Sequence, residues 1–191
     1  MSAARSTPQE PVYIRESGME LGPFDPDNMY QVEKSEYYKN KNGLKKCESI
    51  VLHQEKVFYI ELKSTVPNSK KCEKRYLEFL NEIKDKIIGS VKMLAFAQLG
   101  NPAYSELGKN LQNCSNRKFL FLLLVPDFPD KYLQGLTDAL SKSIKESNFL
   151  FWCGKKRCHI RVGNSDTAKK YELLSKHDKL RNESQKERKP R

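Results

Sequence analysis

Apolar and polar positions along the chain follow two different periods. From Cys72 to about Leu99, Tyr76, Leu77, Leu80, Ile83, Ile87, Ile88, Val91, Leu94 and Ala95 recur at threes and fours, the spacing of one buried helix stripe. Leu133, Leu136, Leu140 and Ile144 repeat that spacing between Asp130 and Glu146. A further helix is predicted over Asn28 to Asn40, where Met29, Val32, Glu33, Glu36 and Tyr37 share a face behind an Asp25-Pro26 start signal. A last one is predicted over about Ala168 to Leu180. Strand patterns fill the gaps. CESIVLH and VFYIELKS, parted by Gln54-Glu55-Lys56, read as a hairpin. RKFLFLLLV is a short continuous apolar run, which suits a strand buried on both faces. NFLFWCG and CHIRVG read as a closing pair of strands. Val12-Tyr13-Ile14 reads as a short strand ahead of turns at Gly18 and Gly22-Pro23.

Helix, strand, strand, helix, strand, helix, strand, strand is the order of one α/β domain with a mixed sheet and helices on both faces. Its expected span is 12–181, with a flexible arm over 1–11 and a disordered basic tail over 182–191. A chain of 191 residues with 38% hydrophobic residues is long enough to bury a core of its own. The apolar run from Phe119 stops at Pro126, far short of the roughly 20 residues a spanning helix needs, and MSAARSTPQEP lacks the apolar stretch of a secretory signal. Five cysteines at irregular spacing (Cys47, Cys72, Cys114, Cys153 and Cys158) then fit a reduced, cytoplasmic protein. Cys153 and Cys158-His159 offer at most three neighbouring ligands where structural zinc takes four, and read more simply as thiols in or beside a strand.

Charge adds a direction. The formal net charge of +11 implies a polyanionic partner, most commonly nucleic acid. Lys70, Lys71, Lys74, Lys84, Lys86 and Lys92 accompany the long helical segment, and Lys155-Lys156-Arg157 with Arg161 lie near Trp152. Such groups position a nucleic acid by its phosphates without reading sequence. Each cluster taken alone also suits a solvated face.

The chemistry is concentrated in Glu61-Leu62-Lys63. Strand side chains alternate, so Glu61 and Lys63 share a face, while Phe58, Ile60 and Leu62 form a core row on the other. Glu48 opens the preceding strand and, across a short hairpin, approaches Glu61. Two carboxylates and an ammonium suit phosphodiester hydrolysis, because Mg²⁺ takes one or two carboxylates plus water and phosphate oxygens. Lys63 would orient the water or stabilise the transition-state charge. The triplet alone carries no weight: chance supplies about three acid-x-Lys matches in a chain of this composition, and the chain holds three, at Glu61, Glu82 and Glu187. Only Glu61 sits on an apolar strand behind a second strand led by an acid. The bland alternative is an exposed strand face with a surface ion pair worth under about 1 kcal/mol.

That context resembles the PD-(D/E)XK nuclease superfamily, whose core is helix, three-stranded meander, helix, strand. The resemblance covers roughly Asp27 to Val125 and implies a restriction-endonuclease-like fold. It implies Glu48 and Glu61 as ligands of Mg²⁺, for which Mn²⁺ can substitute, with Lys63 as the nucleophile's assistant and Glu33 as an auxiliary acid on the first helix. Cys47-Glu48 stands where the family carries Pro-Asp, and the Gln-x-x-x-Tyr element of one branch is absent. Only two meander strands are plain, so the third is expected within 12–24 or 54–68. The expected function is DNA cleavage in a restriction, repair or mobile-element defence system, by a homodimer or a subunit of a larger complex. The alternative is a non-catalytic nucleic-acid-binding or scaffolding subunit of the same fold.

Overall fold

A computed structural model of the chain describes residues 10–35, 45–100, 107–114, 116–146 and 158–178. The expected arm and tail therefore lie, apart from residues 10 and 11, outside the described residues, as does the NFLFWCG strand. The elements are β1 Val12–Glu16, β2 Met19–Phe24, β3 Met29–Gln31, β4 Ser49–His53, β5 Lys56–Leu62, α1 Glu73–Gln98, β6 Lys118–Leu124, α2 Asp130–Glu146, β7 Cys158–Gly163 and α3 Ser165–Lys170, with further helical backbone at 176–178. The main sheet has the order β3-β4-β5-β6-β7. Its first three strands pair antiparallel and its last three parallel, while β1 and β2 form a separate antiparallel hairpin. The chain is thus a mixed α/β protein. No helix among the described residues is long and apolar enough to cross a membrane.

Period-2 alternation gives the sheet two dry faces. Val57, Tyr59, Phe121 and Leu123 point into a core covered by Phe79, Leu80, Ile83 and Ile87 of α1 and by Leu136, Leu140 and Ile144 of α2. Phe58, Ile60, Leu62, Leu120, Leu122 and Leu124 point into a second core covered by Ile14, Leu21 and Phe24 of the hairpin and by Ala168, Leu173 and Leu174. A strand clad on both sides must be apolar at successive positions, which is why β6 reads KFLFLLL.

Several expectations are corrected here, among them the place of the third meander strand, which lies in neither 12–24 nor 54–68. The helix over Asn28 to Asn40 is not what the described part of that segment forms. Asp25 does act as a cap, accepting from Asp27 N, and Pro26 follows it, but the result is one 3-10 turn, Pro26–Asn28. Met29–Gln31 is instead the missing first strand of the meander, registered against Ser49–Val51. Its reason is burial on opposite faces: Met29 enters the second core and Tyr30 the first, which only an extended chain allows. The helix expected over about Ala168 to Leu180 is interrupted, with helical backbone resuming at 176–178; its first part is Ser165–Lys170, begun by Asn164 accepting from Thr167 N. It stops because Leu173 and Leu174 are needed in the core, where Leu174 bridges Leu21. Finally, Gly22-Pro23-Phe24 belongs to β2 rather than to a turn. The Gln54-Glu55 connection is tighter than the sequence suggested, with positive φ at both residues and β5 starting at Lys56.

One contact fixes how α1 meets the start of β4. A Cβ on Gly89 would stand 1.9 Å from the carbonyl oxygen of Lys45, so only glycine lets the 45–48 segment lie against this helix. Ser90 Oγ, fully buried, then accepts from Cys47 N at 2.7 Å and donates to Lys86 O at 2.8 Å. Gly89→Ala should destabilise the protein by about 2–3 kcal/mol in urea unfolding, since the clash is with backbone and cannot be relieved by a rotamer; a change under about 0.5 kcal/mol would show that the contact is not made.

Candidate functional site

Glu61 is the penultimate residue of β5 and faces α1. Its row, Val57-Tyr59-Glu61, lies under the helices and is buried, so the exposed strand face of the bland alternative does not exist: Glu61 is 2% exposed. Its Oε1 lies 2.5 Å from Lys86 Nζ on α1 and 3.3 Å from Lys63 Nζ. Its Oε2 is buried with no hydrogen-bond partner. Burial pushes the carboxyl above the ordinary carboxylate range, and the two ammonium groups limit the rise. Lys63 also holds Glu82 of α1, at 2.9 Å. Partial burial works against its charge, but the hydrogen bonds and charges of Glu82 and Glu61 outweigh this and raise the ammonium above its ordinary value. The Lys63 hydrogen bond holds the carboxyl of Glu82 below the usual range.

Glu48 stands one residue before β4. The ladder ends at the pair Ser49–Ile60, which leaves Glu48 beside the last two residues of β5. Beyond Ser49 the backbone leaves the ladder, because Cys47 N turns to Ser90 Oγ. Leu62 N would then lack an acceptor, and Glu48 Oε2 supplies it at 3.1 Å. The Glu48 carboxylate therefore sits level with the sheet, at its end. A proline at 47 would have no N–H for Ser90. Cys47 itself is chemically quiet. Burial first, then the Glu61 charge, push its thiol far up and keep it protonated.

On the hairpin side, Glu48 lines a cavity of about 140 Å³ together with Tyr13, Arg15, Gln31 and Lys34. Arg15 stacks over the Tyr13 ring at 5.2 Å and pairs with Glu20 at 2.5 Å. On the helix side, an open groove runs past Lys45, Asn81, Glu82 and Lys86. Comparison with family models, curated proteins and solved structures finds no match for this chain.

The remaining expected residues are scattered. Glu33 lies in a 3-10 turn, Val32–Lys34, between the first two meander strands and not on a helix ahead of them; its side chain is outside the described residues. Lys70 and Lys71 are exposed in the turn before α1, and Lys74 is exposed in its first turn, all on the stretch of chain that leaves Lys63. Lys155, Lys156 and Arg157 lie outside the described residues, as do Trp152 and Cys153. Arg161 is registered with Leu122, so it stands on the opposite face of the sheet from Glu61, beside Tyr171. Among the described residues no group of three or more His, Cys, Asp or Glu is gathered for a metal ion. The donor set that fits one is smaller: the unpartnered Glu61 Oε2, with Glu48 beside the end of β5. One or two carboxylates is the number Mg²⁺ takes.

Sequence reasoning set Glu82 aside as a helical chance match and read Lys86 as a phosphate contact. Both belong to the Glu61 cluster. Their signal was available, since an acid and a lysine at i and i+4 flank the buried Ile83 and Ile87 and so border the face that α1 turns to the sheet.

Because burial raises Glu61, the folded chain holds this proton in a pH window where the unfolded chain has released it. Stability from this group is therefore fully present below its unfolded value of 4.5 and declines as pH rises through the folded value. Urea stability of the wild type should fall relative to Glu61→Gln as pH rises above the unfolded value of 4.5. A rise over that window would show that the two lysines, not burial, control the group.

Proposed function

We propose that the chain is a Mg²⁺-dependent nuclease of restriction-endonuclease-like fold, hydrolysing phosphodiester bonds in DNA. The observation that carries this reading is the Glu48 carboxylate bonded to Leu62 N, next in the chain to buried Glu61, with Lys63 on Glu61 Oε1, near two open surfaces at the end of the sheet. The meander, α1 and β6, in that order and with β6 parallel to β5, support it as well. A helix ahead of the meander, which the family core also has, is not among the described residues; the β1–β2 hairpin precedes it here.

In this reading Glu61 Oε2 and the Glu48 carboxylate hold the ion, which when bound supplies Lewis-acid polarisation of the phosphate and a more acidic water. Lys63 remains protonated, being held by Glu61 and Glu82, so it acts as a fixed positive charge and not as a general base. It orients the attacking water and offsets the charge that builds on the phosphoryl oxygens. The water oxygen bonds to phosphorus, one ester P–O bond breaks, the water's proton passes to solvent and the leaving oxygen takes one up. Lys70, Lys71 and Lys74 lead away from Lys63 and supply phosphate contacts along the backbone. Tyr13 and Arg15 line the far wall of the cavity at Glu48 and suit a neighbouring base and phosphate.

A second reading, a non-catalytic nucleic-acid-binding or scaffolding subunit, is favoured by one observation: Glu61 already has its positive partners within the chain. Purified protein incubated with linear, plasmid and single-stranded DNA, and with RNA, in Mg²⁺ or Mn²⁺ separates the two. The nuclease reading expects cleavage of DNA that falls at least about 100-fold in both Glu61→Ala and Lys63→Ala. Binding with no cleavage, alone or with companion proteins supplied, supports the subunit, and equal residual cutting by all three proteins would mark a contaminant.

A further inference from the structure

The acid at the centre of the site is held by a cation that belongs to the chain itself. Lys86 Nζ stands 2.5 Å from Glu61 Oε1, with its side chain 16% exposed. Burying Glu61 without a countercharge would cost several kcal/mol, so some cation has to accompany it into the interior. Lys63 alone is a poor candidate, because it lies farther away, at 3.3 Å, and is shared with Glu82. Lys86 also has a second carboxylate within reach. Glu82 lies four residues earlier on the same helix, and its carboxyl feels the Lys86 charge. The groove beside both is open and is lined further by Lys45, Glu78 and Asn81.

Resting on the reading of Glu61 as a metal ligand, we propose that Lys86 is a displaceable counter-ion, which neutralises Glu61 in the metal-free protein and competes with the divalent cation for it. A divalent ion on Oε2 takes up the negative charge that holds Lys86 on Oε1 and repels its ammonium, while Lys63, farther away and shared with Glu82, is held independently. Metal loading therefore moves Lys86 off Glu61 and toward Glu82 and the groove. The helix backbone need not follow, because Ser90 fixes Lys86 O to the Cys47 segment, and the change is confined to the Lys86 side chain. Affinity for the ion is lowered by the strength of the ion pair it must break. Any anion in the groove that draws Lys86 away raises metal affinity, and the metal raises affinity for that anion by the same factor. A phosphate of the substrate has the required charge. Metal and nucleic acid then load together, and the protein without DNA stays largely metal-free.

The test is titration of the full chain with Mn²⁺ alone, following free Mn²⁺ by electron paramagnetic resonance, in wild type, Lys86→Met, Lys86→Arg and Glu61→Gln. Lys86→Met should bind Mn²⁺ about tenfold or more tightly than wild type, Lys86→Arg about as wild type does, and Glu61→Gln should lose the site. Equal or weaker binding by Lys86→Met, with Glu61→Gln still abolishing it, overturns the counter-ion role and leaves the metal reading standing. Absence of any Mn²⁺ binding that Glu61→Gln removes, in every variant, overturns the metal reading and the counter-ion role together. Circular dichroism melting checks that each variant folds, and Lys86→Gln makes the same comparison should Lys86→Met not fold.

Discussion

A carboxylate under a helix is the constraint from which the rest of this site follows. Glu61 sits in a row whose other members, Val57 and Tyr59, are core residues, and it is as buried as they are. The protein does not hide the charge passively. It brings Lys86 down from α1 and Lys63 up from the end of β5, and it ties Lys63 to Glu82 so that the second cation is also held. The helix can come this close only because residue 89 has no side chain, and it keeps its setting through the Ser90 bridge to Cys47. The packing of α1 and the electrostatics of the sheet end are thus one arrangement.

Glu48 enters that arrangement by a different route. Its carboxylate takes the place of a backbone acceptor where β4 leaves the ladder. An acid that caps the strand N–H next to a second acid has both a structural and a chemical use. The structural use explains why a glutamate, with its longer reach, suits the position: it can accept from Leu62 N while its carboxylate stays near the end of β5.

Much of the frame was legible in the chain. The stripe from Tyr76 to Leu94 and the run from Phe119 to Leu124 each admit one reading, because period and length agree. The α2 boundaries, Asp130 and Glu146, follow from Pro129 before the first turn and the end of the leucine stripe. Met29–Gln31 was not legible, since three residues cannot display a period and the Asp25-Pro26 cap is real but serves a single turn. The α3 segment misled because the aliphatic pair Leu173-Leu174 continues a helical spacing while belonging to the second core in extended form. At the site, Glu48, Glu61 and Lys63 could be picked out from strand alternation. Alternation did not give the partners of Glu61 on α1, because it says nothing about which helix residue crosses above a strand; only the i, i+4 spacing of Glu82 and Lys86 beside Ile83 and Ile87 pointed to them. The same limit hid the burial of Glu61, which depends on α1 covering that row.

The account turns on Glu61 being a carboxylate that an external divalent ion can claim. Crystals grown with Mn²⁺ and a duplex bearing non-hydrolysable phosphates would address this directly through anomalous scattering. A manganese peak in contact with Glu61 Oε2 and the Glu48 carboxylate, with the Lys86 ammonium withdrawn, is what the account requires. Manganese absent from Glu61, with Lys86 still seated on Oε1 in the presence of DNA, would contradict it and leave the cluster as a structural ion pair.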